Sequence, residues 1–88
     1  MRVYRHPQFD KHFKIRVKNN QKLSDVFNTR LELCATNPQN PLLKDHALIG
    51  EKKDLRAFSI TGDIRVVFKK ISDDEIVLVD IGSHNQVY

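Results

Sequence analysis

The sequence predicts one α+β domain over residues 1–88, with a helical hairpin packed on one face of a small, mainly antiparallel sheet. Three observations predict it: 40% of the 88 residues are hydrophobic, apolar residues recur at helical spacing in the first half, and short β-type segments fill the second half. A chain of this length is too short for two hydrophobic cores, so a single two-layer domain is expected. The predicted order of elements is β-α-α-β-β-β.

The first half of the chain predicts two amphipathic helices. Phe9, Phe13 and Val17 recur every four residues and form the apolar stripe of the first helix. The apolar stripe of the second helix has five members: Leu23, Val26, Phe27, Leu31 and Cys34. The polar segment KNNQ separates the helices and TNPQNP ends the second, so a hairpin is expected. His6 and His12 flank the first helix, and neither has an evident partner in the sequence.

The second half has the composition and alternation of β-strands. The three segments are LRAFSIT, IRVVFKKI and IVLVDI, joined by Gly62-Asp63 and by the polar SDDE. Short strands with tight connections predict an antiparallel meander. The last segment is apolar on both faces, which is typical of a strand in the interior of a sheet. A further short strand, MRVYRH, is predicted before the first helix.

The chain is basic, and its positive charge is concentrated near the start. The formal net charge is +4 and the pI is about 9.4. Residues 1–22 hold seven basic residues and one acidic residue, a net charge of +6, and the remainder is acidic. This distribution favours a polyanionic partner.

Cysteine content and hydropathy predict a cytoplasmic protein that does not associate with membranes. Cys34 is the one cysteine, so no internal disulfide is possible, and a buried thiol in a reducing compartment is expected. The segment MRVYRHPQFD lacks the apolar stretch of a signal peptide, and the longest apolar run, IVLVDI, is too short to span a bilayer.

Several polar residues of the second half suit RNA cleavage. Attack by the 2′-OH of RNA needs a base, an acid for the departing 5′-oxygen and cations for the phosphorane charge. His46 and His84 can transfer protons near neutral pH, and Asp63 is a third candidate. The candidate phosphate-binding cations are Lys52, Lys53, Arg56 and Arg65. Each has an ordinary alternative role: solubilising a loop, forming a turn at Asp63, or pairing a strand arginine with Asp54, Asp63 or Asp80.

Three segments, KDHALIG, LRAFSITGDIRVVF and DIGSHNQVY, together resemble the RelE/ParE toxin superfamily of bacterial toxin–antitoxin systems, particularly its YafQ-like branch. The resemblance covers nearly the whole chain and is sharpest from Leu43 to Tyr88. It implies a two-layer RelE-like fold and a ribosome-dependent mRNA interferase that uses the 2′-OH of its substrate as nucleophile. It also implies that His46, Asp63 and His84 are catalytic and that Tyr88 stacks on a base, with no metal or other cofactor.

The resemblance implies partners as well. These are a cognate antitoxin protein, the ribosome with its mRNA, and operator DNA only through the antitoxin complex. Members of the branch often carry a histidine where this chain has Ser59, a tryptophan where it has Ile64, and a basic residue where it has Asp80. These departures leave Arg56 and Arg65 with more of the expected phosphate binding.

Two other functions remain compatible with the sequence. A ParE-like toxin would inhibit DNA gyrase without catalysis, and an inactive relative would act only as a co-repressor with its antitoxin. A ParE-like toxin has no need of His46, Asp63 and His84, so their joint presence favours the nuclease.

Overall fold

A helical hairpin and a five-stranded mixed sheet form the two layers of the protein, described for residues 1–88 by a computed structural model. The strands are β1 (Arg2–Arg5), β2 (His46–Ala47), β3 (Arg56–Ser59), β4 (Ile64–Ser72) and β5 (Glu75–Ser83). The helices are α1 (Pro7–Arg16), α2 (Gln21–Thr36) and α3 (His84–Val87). Single 3-10 turns, Pro41–Leu43 and Gly50–Lys52, lie before and after β2. The predicted α+β class is confirmed, and β2 and α3 are added to the predicted elements.

The strand order in the sheet is β1-β5-β4-β3-β2. The strands from β2 to β5 pair in antiparallel fashion, which confirms the predicted meander, whereas β1 pairs with β5 in parallel. The strand β5 therefore lies inside the sheet, as its apolar composition predicts.

The starts of both long helices are fixed by side chains that accept hydrogen bonds from the first-turn backbone. At α1, His6 Nδ1 accepts from the N–H of Gln8 at 3.0 Å, and Pro7 occupies the first helical position. At α2, the side chain of Asn20 accepts from the N–H of Leu23 at 3.0 Å. His6, one of the two histidines without an evident partner in the sequence, is therefore the N-cap of α1.

The main hydrophobic core lies between the hairpin and the sheet. Phe9, Phe13 and Phe27 pack with their ring centroids between 5.1 and 5.8 Å apart. The twelve buried residues of this core are Phe9, Val17, Phe27, Cys34, Leu43, Phe58, Ile60, Val66, Phe68, Ile76, Leu78 and Ile81. Cys34 is a free, buried thiol, as expected, and burial raises its pKa above the ordinary value.

We call the side of the sheet away from the hairpin the open face. Side chains alternate along a strand, so the residues between the core positions of β3 and β4 point to this face. A small second cluster covers part of it: Ala57, Val67 and Val87 are buried there against Leu48, Leu55 and Val79. The rest of the open face has polar side chains, among them Ser59 and Arg65.

Where β1 ends, α1 and its N-cap continue to supply hydrogen bonds to the edge of β5. The strand β1 pairs only with Glu75 to Leu78, and further along β5 the donors come from α1 and its cap. His6 N donates to Leu78 O at 2.8 Å, Gln8 Nε2 to Val79 O at 3.4 Å, and Arg16 Nη1 to Ile81 O at 2.9 Å. These three carbonyl groups of β5 are therefore satisfied without a longer first strand. None of the helices is long and apolar enough to cross a membrane.

Phe9 is completely buried between the two helices and the sheet, so its truncation should be among the most destabilising changes in the protein. We expect Phe9→Ala to lower the free energy of unfolding by about 3–5 kcal/mol, because it removes buried surface and leaves a cavity. Urea denaturation followed by circular dichroism measures the change. Ile15→Ala, on the same helix but 67% exposed, is the control and should change stability by less than about 0.5 kcal/mol. Equal losses in the two variants would contradict the assigned core.

Candidate active site

Two histidines flank one tyrosine on the open face. The rings of His84 and Tyr88 meet edge to face with centroids 4.5 Å apart, and those of His46 and Tyr88 with centroids 6.3 Å apart. The Tyr88 hydroxyl lies 3.4 Å from His46 Nε2. All three side chains are exposed. His46 is thus brought together with two residues that lie 38 and 42 positions later in the sequence, and we call the three residues the His–Tyr–His cluster.

Regular backbone structure positions each member of this cluster. His46 lies on β2 and pairs with Ala57 of β3, so it is part of the sheet rather than of a free loop. His84 is the first residue of α3, directly after β5. Because residues four apart share one side of a helical turn, Tyr88 lies above His84.

The short helix α3 is fixed at both ends. At its start, Ser83 N donates to Gln86 Oε1 at 2.7 Å. At its end, Lys52 Nζ donates to Val87 O, and the Val87 side chain is buried in the cluster of the open face. A four-residue helix has no stability of its own, so these contacts determine where His84 and Tyr88 lie.

A backbone carbonyl defines the tautomer of His46. Its Nδ1 lies 2.9 Å from the carbonyl oxygen of Lys44. A carbonyl only accepts, so Nδ1 carries the proton and, in the neutral ring, Nε2 presents its lone pair. That lone pair is directed at the Tyr88 hydroxyl, which donates to it. His46 is therefore arranged as a proton acceptor at an exposed position.

Arg65 of β4 is the cation beside this cluster. Its Nη1 donates to Ser59 Oγ at 3.1 Å and to Gly62 O at 3.3 Å, which directs the guanidinium along the open face. Burial raises the pKa of the Tyr88 phenol above its ordinary value, and the nearby Arg65 opposes this shift only in part. Tyr88 is therefore a neutral phenol at physiological pH. Ser59, one of the departures from the branch, is the side chain that holds Arg65.

A cavity of about 440 Å³ opens next to the cluster. Its wall combines the two histidines, Tyr88 and Lys52 with the apolar segment Ala47–Ile49. Ile49 is 90% exposed and forms the outer rim of this wall. The cavity thus joins an apolar surface to proton-transfer groups. A second cavity, of about 400 Å³, is lined by Arg56 and Asp45 but contains no histidine.

The other predicted site residues lie in different surroundings. Arg56 pairs with Asp45 at 2.9 Å and is in register with the core residue Phe68, so its side chain lies on the hairpin side of the sheet. The structure does not bring it to the cluster. Lys52 donates to a carbonyl at the end of α3, and the exposed side chain of Lys53 makes no hydrogen bond or ion pair.

Asp63 is an exposed residue of the turn between β3 and β4. Its N–H donates to Thr61 Oγ1 at 3.3 Å, and its carboxylate has no hydrogen bond or ion pair with either histidine. Ile64 is in register with Ser83, so Asp63 follows in the ladder at the level of His84. Asp63 and His84 thus lie next to paired residues of neighbouring strands, but the Asp63 carboxylate makes no hydrogen bond with either histidine.

Asp80 and His12 form a pair away from the cluster. His12 Nδ1 donates to Asp80 Oδ1 at 2.5 Å, and Arg16 Nη1 lies 3.4 Å from the same oxygen. His12 therefore has a partner that its position in the sequence does not indicate. Asp80, where members of the branch often carry a basic residue, thus contacts two residues of α1.

Comparison with known proteins agrees with this architecture. The profile of the family described as a bacterial toxin of type II toxin–antitoxin system, YafQ, matches residues 1–88. A metal-bound toxin from Helicobacter pylori is 32% identical, with a TM-score of 0.80 over 100% of this chain and 99% of that chain. YafQ from E. coli strain BL21(DE3) is 21% identical, with a TM-score of 0.83 over 100% of this chain and 99% of that chain.

A toxin–antitoxin complex is among the similar structures. The E. coli DinJ–YafQ complex contains a chain 20% identical to this one, with a TM-score of 0.80 over 98% of this chain and 94% of that chain. No curated protein matches the sequence. In this protein no three His, Cys, Asp or Glu side chains are grouped so that they could hold a metal ion.

The two-layer fold with its mixed five-stranded sheet is that of the RelE/ParE-like toxins. Since the family profile covers its full length, the chain belongs to the YafQ family of toxins of type II toxin–antitoxin systems. The resemblance predicted from the sequence is confirmed.

The tautomer of His46 gives a direct test of the site geometry. At a pH where His46 is neutral, we expect its Nδ1–H form to predominate, because Lys44 O can only accept a hydrogen bond. Nitrogen-15 chemical shifts of the imidazole rings distinguish the two tautomers, and a His46→Gln variant assigns the signals. A neutral His46 with its proton on Nε2 would contradict the arrangement described here.

Proposed function

We propose that the protein is a ribosome-dependent endoribonuclease that cleaves mRNA by attack of the substrate's 2′-OH on the adjacent phosphate. The observation that supports this proposal is the His–Tyr–His cluster, with Arg65 beside it and a cavity in front of it. The cluster supplies two proton-transfer groups, and Arg65 supplies a cation for the phosphate. Membership in the YafQ family supports the role as a toxin.

His46 acts as the general base in this mechanism. Its Nε2 lone pair faces the Tyr88 hydroxyl in the free protein. In the complex the 2′-OH takes the place of that hydroxyl and transfers its proton to Nε2, so that the 2′-oxygen attacks phosphorus. The charge that develops on the phosphate oxygens is stabilised by Arg65, whose planar guanidinium can bind two of them.

His84 acts as the general acid. Both histidines contact the Tyr88 ring and line the same cavity, so one phosphodiester bound there can meet both of them. Protonation of the 5′-oxygen by His84 accompanies cleavage of the P–O5′ bond, leaving a 2′,3′-cyclic phosphate and a 5′-OH. Tyr88, a neutral phenol, presents an aromatic face for stacking of a base. The exposed side chains of Asp63 and Lys53 are available for further contacts with the RNA.

The proposed partners are the ribosome with its mRNA and a cognate antitoxin. The complex of E. coli YafQ with DinJ supports an antitoxin partner, because that chain has the same fold. The net charge of +6 over residues 1–22 favours an acidic antitoxin segment and anionic RNA. Operator DNA is bound only through the antitoxin complex in this proposal.

Replacing either histidine by glutamine should slow the cleavage step far more than it weakens ribosome binding. We expect His46→Gln and His84→Gln each to reduce the single-turnover rate by about a hundred- to ten-thousandfold, the usual contribution of general acid–base catalysis. Cleavage on programmed ribosomes, with affinity measured separately, gives both quantities. Since asparagine caps helices well, His6→Asn is a control that should cleave at the wild-type rate.

A double variant, His46→Gln with His84→Gln, that cleaves as fast as the wild type would exclude this mechanism. Loss of ribosome affinity at an unchanged rate of cleavage would instead assign both histidines to binding. Absence of cleavage by the wild type, together with inhibition of DNA gyrase, would favour the ParE-like alternative.

The two strand arginines provide a matched comparison because they lie on opposite faces of the sheet. Arg65→Gln should reduce cleavage by about a hundredfold or more, the effect of losing a donor to transition-state charge. Arg56→Gln removes an equal charge from the hairpin side, where Arg56 binds Asp45, and should leave the cleavage rate close to wild type. Circular dichroism checks that both variants are folded. Equal loss of cleavage in the two folded variants would contradict the assignment of Arg65.

A further inference from the structure

Three polar side chains that have no role in the proposed chemistry meet where β5 ends. Asp80 accepts from His12 at 2.5 Å, and Arg16 lies 3.4 Å from the same carboxylate oxygen. Their side chains are only 13% exposed for Asp80, 23% for His12 and 22% for Arg16. A carboxylate and a guanidinium are costly to bury at such low exposure, so Asp80 and Arg16 require hydrogen-bonding partners inside the protein.

Asp80 binds the backbone as well as the side chains of α1. Its Oδ1 accepts from the N–H of Ile81 at 2.8 Å. The residue lies at an irregularity of the sheet: Val67 is in register with Asp80 and Phe68 with Leu78, so Val79 is an extra residue in β5. A bulge alters the direction of a strand, and here it precedes the turn into α3 by a few residues.

Arg16 connects this irregular segment to α3. Its Nη1 donates to Ile81 O at 2.9 Å. A Cβ atom placed on Gly82 would lie 2.8 Å from Arg16 Nη1 and 2.6 Å from Gln86 Oε1, so both side chains pack directly on the glycine. The same Gln86 oxygen accepts the N–H of Ser83 that begins α3. A continuous set of contacts thus leads from α1 to the residue before His84.

We propose that Arg16, oriented by the His12–Asp80 pair, is a positioning residue that fixes the turn from β5 into α3 and thereby the placement of His84 and Tyr88. Its effect on cleavage rests on the proposed function, whereas its effect on the position of α3 does not. Arg16 does not contact the proposed reacting atoms. Its contribution to the rate comes from the geometry of His84, because displacement of a catalytic group by about 1 Å can cost a hundredfold in rate.

The test compares Arg16→Gln with Arg16→Lys and with Arg5→Gln. Arg5 also contacts α1, through an ion pair with Asp10 at 3.0 Å and its position over the Phe9 ring, but it makes no contact with the end of β5. Lysine keeps the charge and a donor for Ile81 O, whereas glutamine removes the charge and is too short to make both contacts. NMR signals of His84 and Tyr88 report the placement of α3, and single-turnover cleavage with separate measurement of ribosome affinity reports catalysis.

In Arg16→Gln we expect shifted signals for His84 and Tyr88, a rate of cleavage lower by up to about a hundredfold, and unchanged ribosome affinity. Arg16→Lys should recover most of the rate, and Arg5→Gln should retain both the signals and the rate. A Gly82→Ala variant disturbs the same contacts from the other side and should displace His84 and Tyr88 in the same way.

Unchanged signals of His84 and Tyr88 in both Arg16→Gln and Gly82→Ala would overturn the positioning role. A loss of cleavage in Arg16→Gln no larger than in an equally stable Arg5→Gln would overturn it as well. If the wild type cleaves no mRNA, the proposed function fails, and the NMR signals still decide the positioning role: displacement supports it and absence of displacement contradicts it.

Discussion

The rest of this structure depends on one constraint: side chains alternate across a sheet whose one face is covered by the hairpin and whose other face is covered only in part. The hairpin requires an apolar surface, and Phe58, Val66 and Phe68 supply it from β3 and β4. The residues between them must then point to the open face, where Ser59 and Arg65 hydrogen bond to each other. The core therefore determines which polar residues are available to the site.

The open face becomes a site because two short elements return to it from distant parts of the chain. The two residues of β2 add His46 to the free edge of β3, and the four residues of α3 bring His84 and Tyr88 back over β5. Neither element is stable alone, so both depend on contacts with the sheet. The same contacts fix the distances between the two histidines and the tyrosine.

The long elements of the fold follow from sequence periodicity, and the short ones do not. The stripe Phe9, Phe13 and Val17 predicts α1, and the three β-type segments predict the meander, because each pattern extends over two or more repeats. Two residues of β2 and four of α3 are too few to show a period. His46 therefore lies outside the four predicted strands, whereas in the structure it pairs with Ala57 in the sheet.

The candidate site could be predicted in its residue types and only in part in its geometry. The segments around His46, Asp63 and His84 indicated the family, which the profile confirms. The period of two along β3 contained a further signal, since Arg56 and Phe58 share a face and Arg56 thus belongs to the hairpin side. The pair of His12 and Asp80 spans 68 residues, and no local pattern predicts a contact of that range.

The chemistry of the RNA ends is the most direct test of the central claim that the His–Tyr–His cluster promotes attack by the 2′-OH. The measurement is to incubate the protein with programmed ribosomes and to identify both ends at the cleavage position in the mRNA. The account predicts a 2′,3′-cyclic phosphate and a 5′-OH, formed by the wild type and not by the variant that lacks both histidines. Fragments with a 3′-OH and a 5′-phosphate would show that water or another nucleophile attacks the phosphate and would contradict the account.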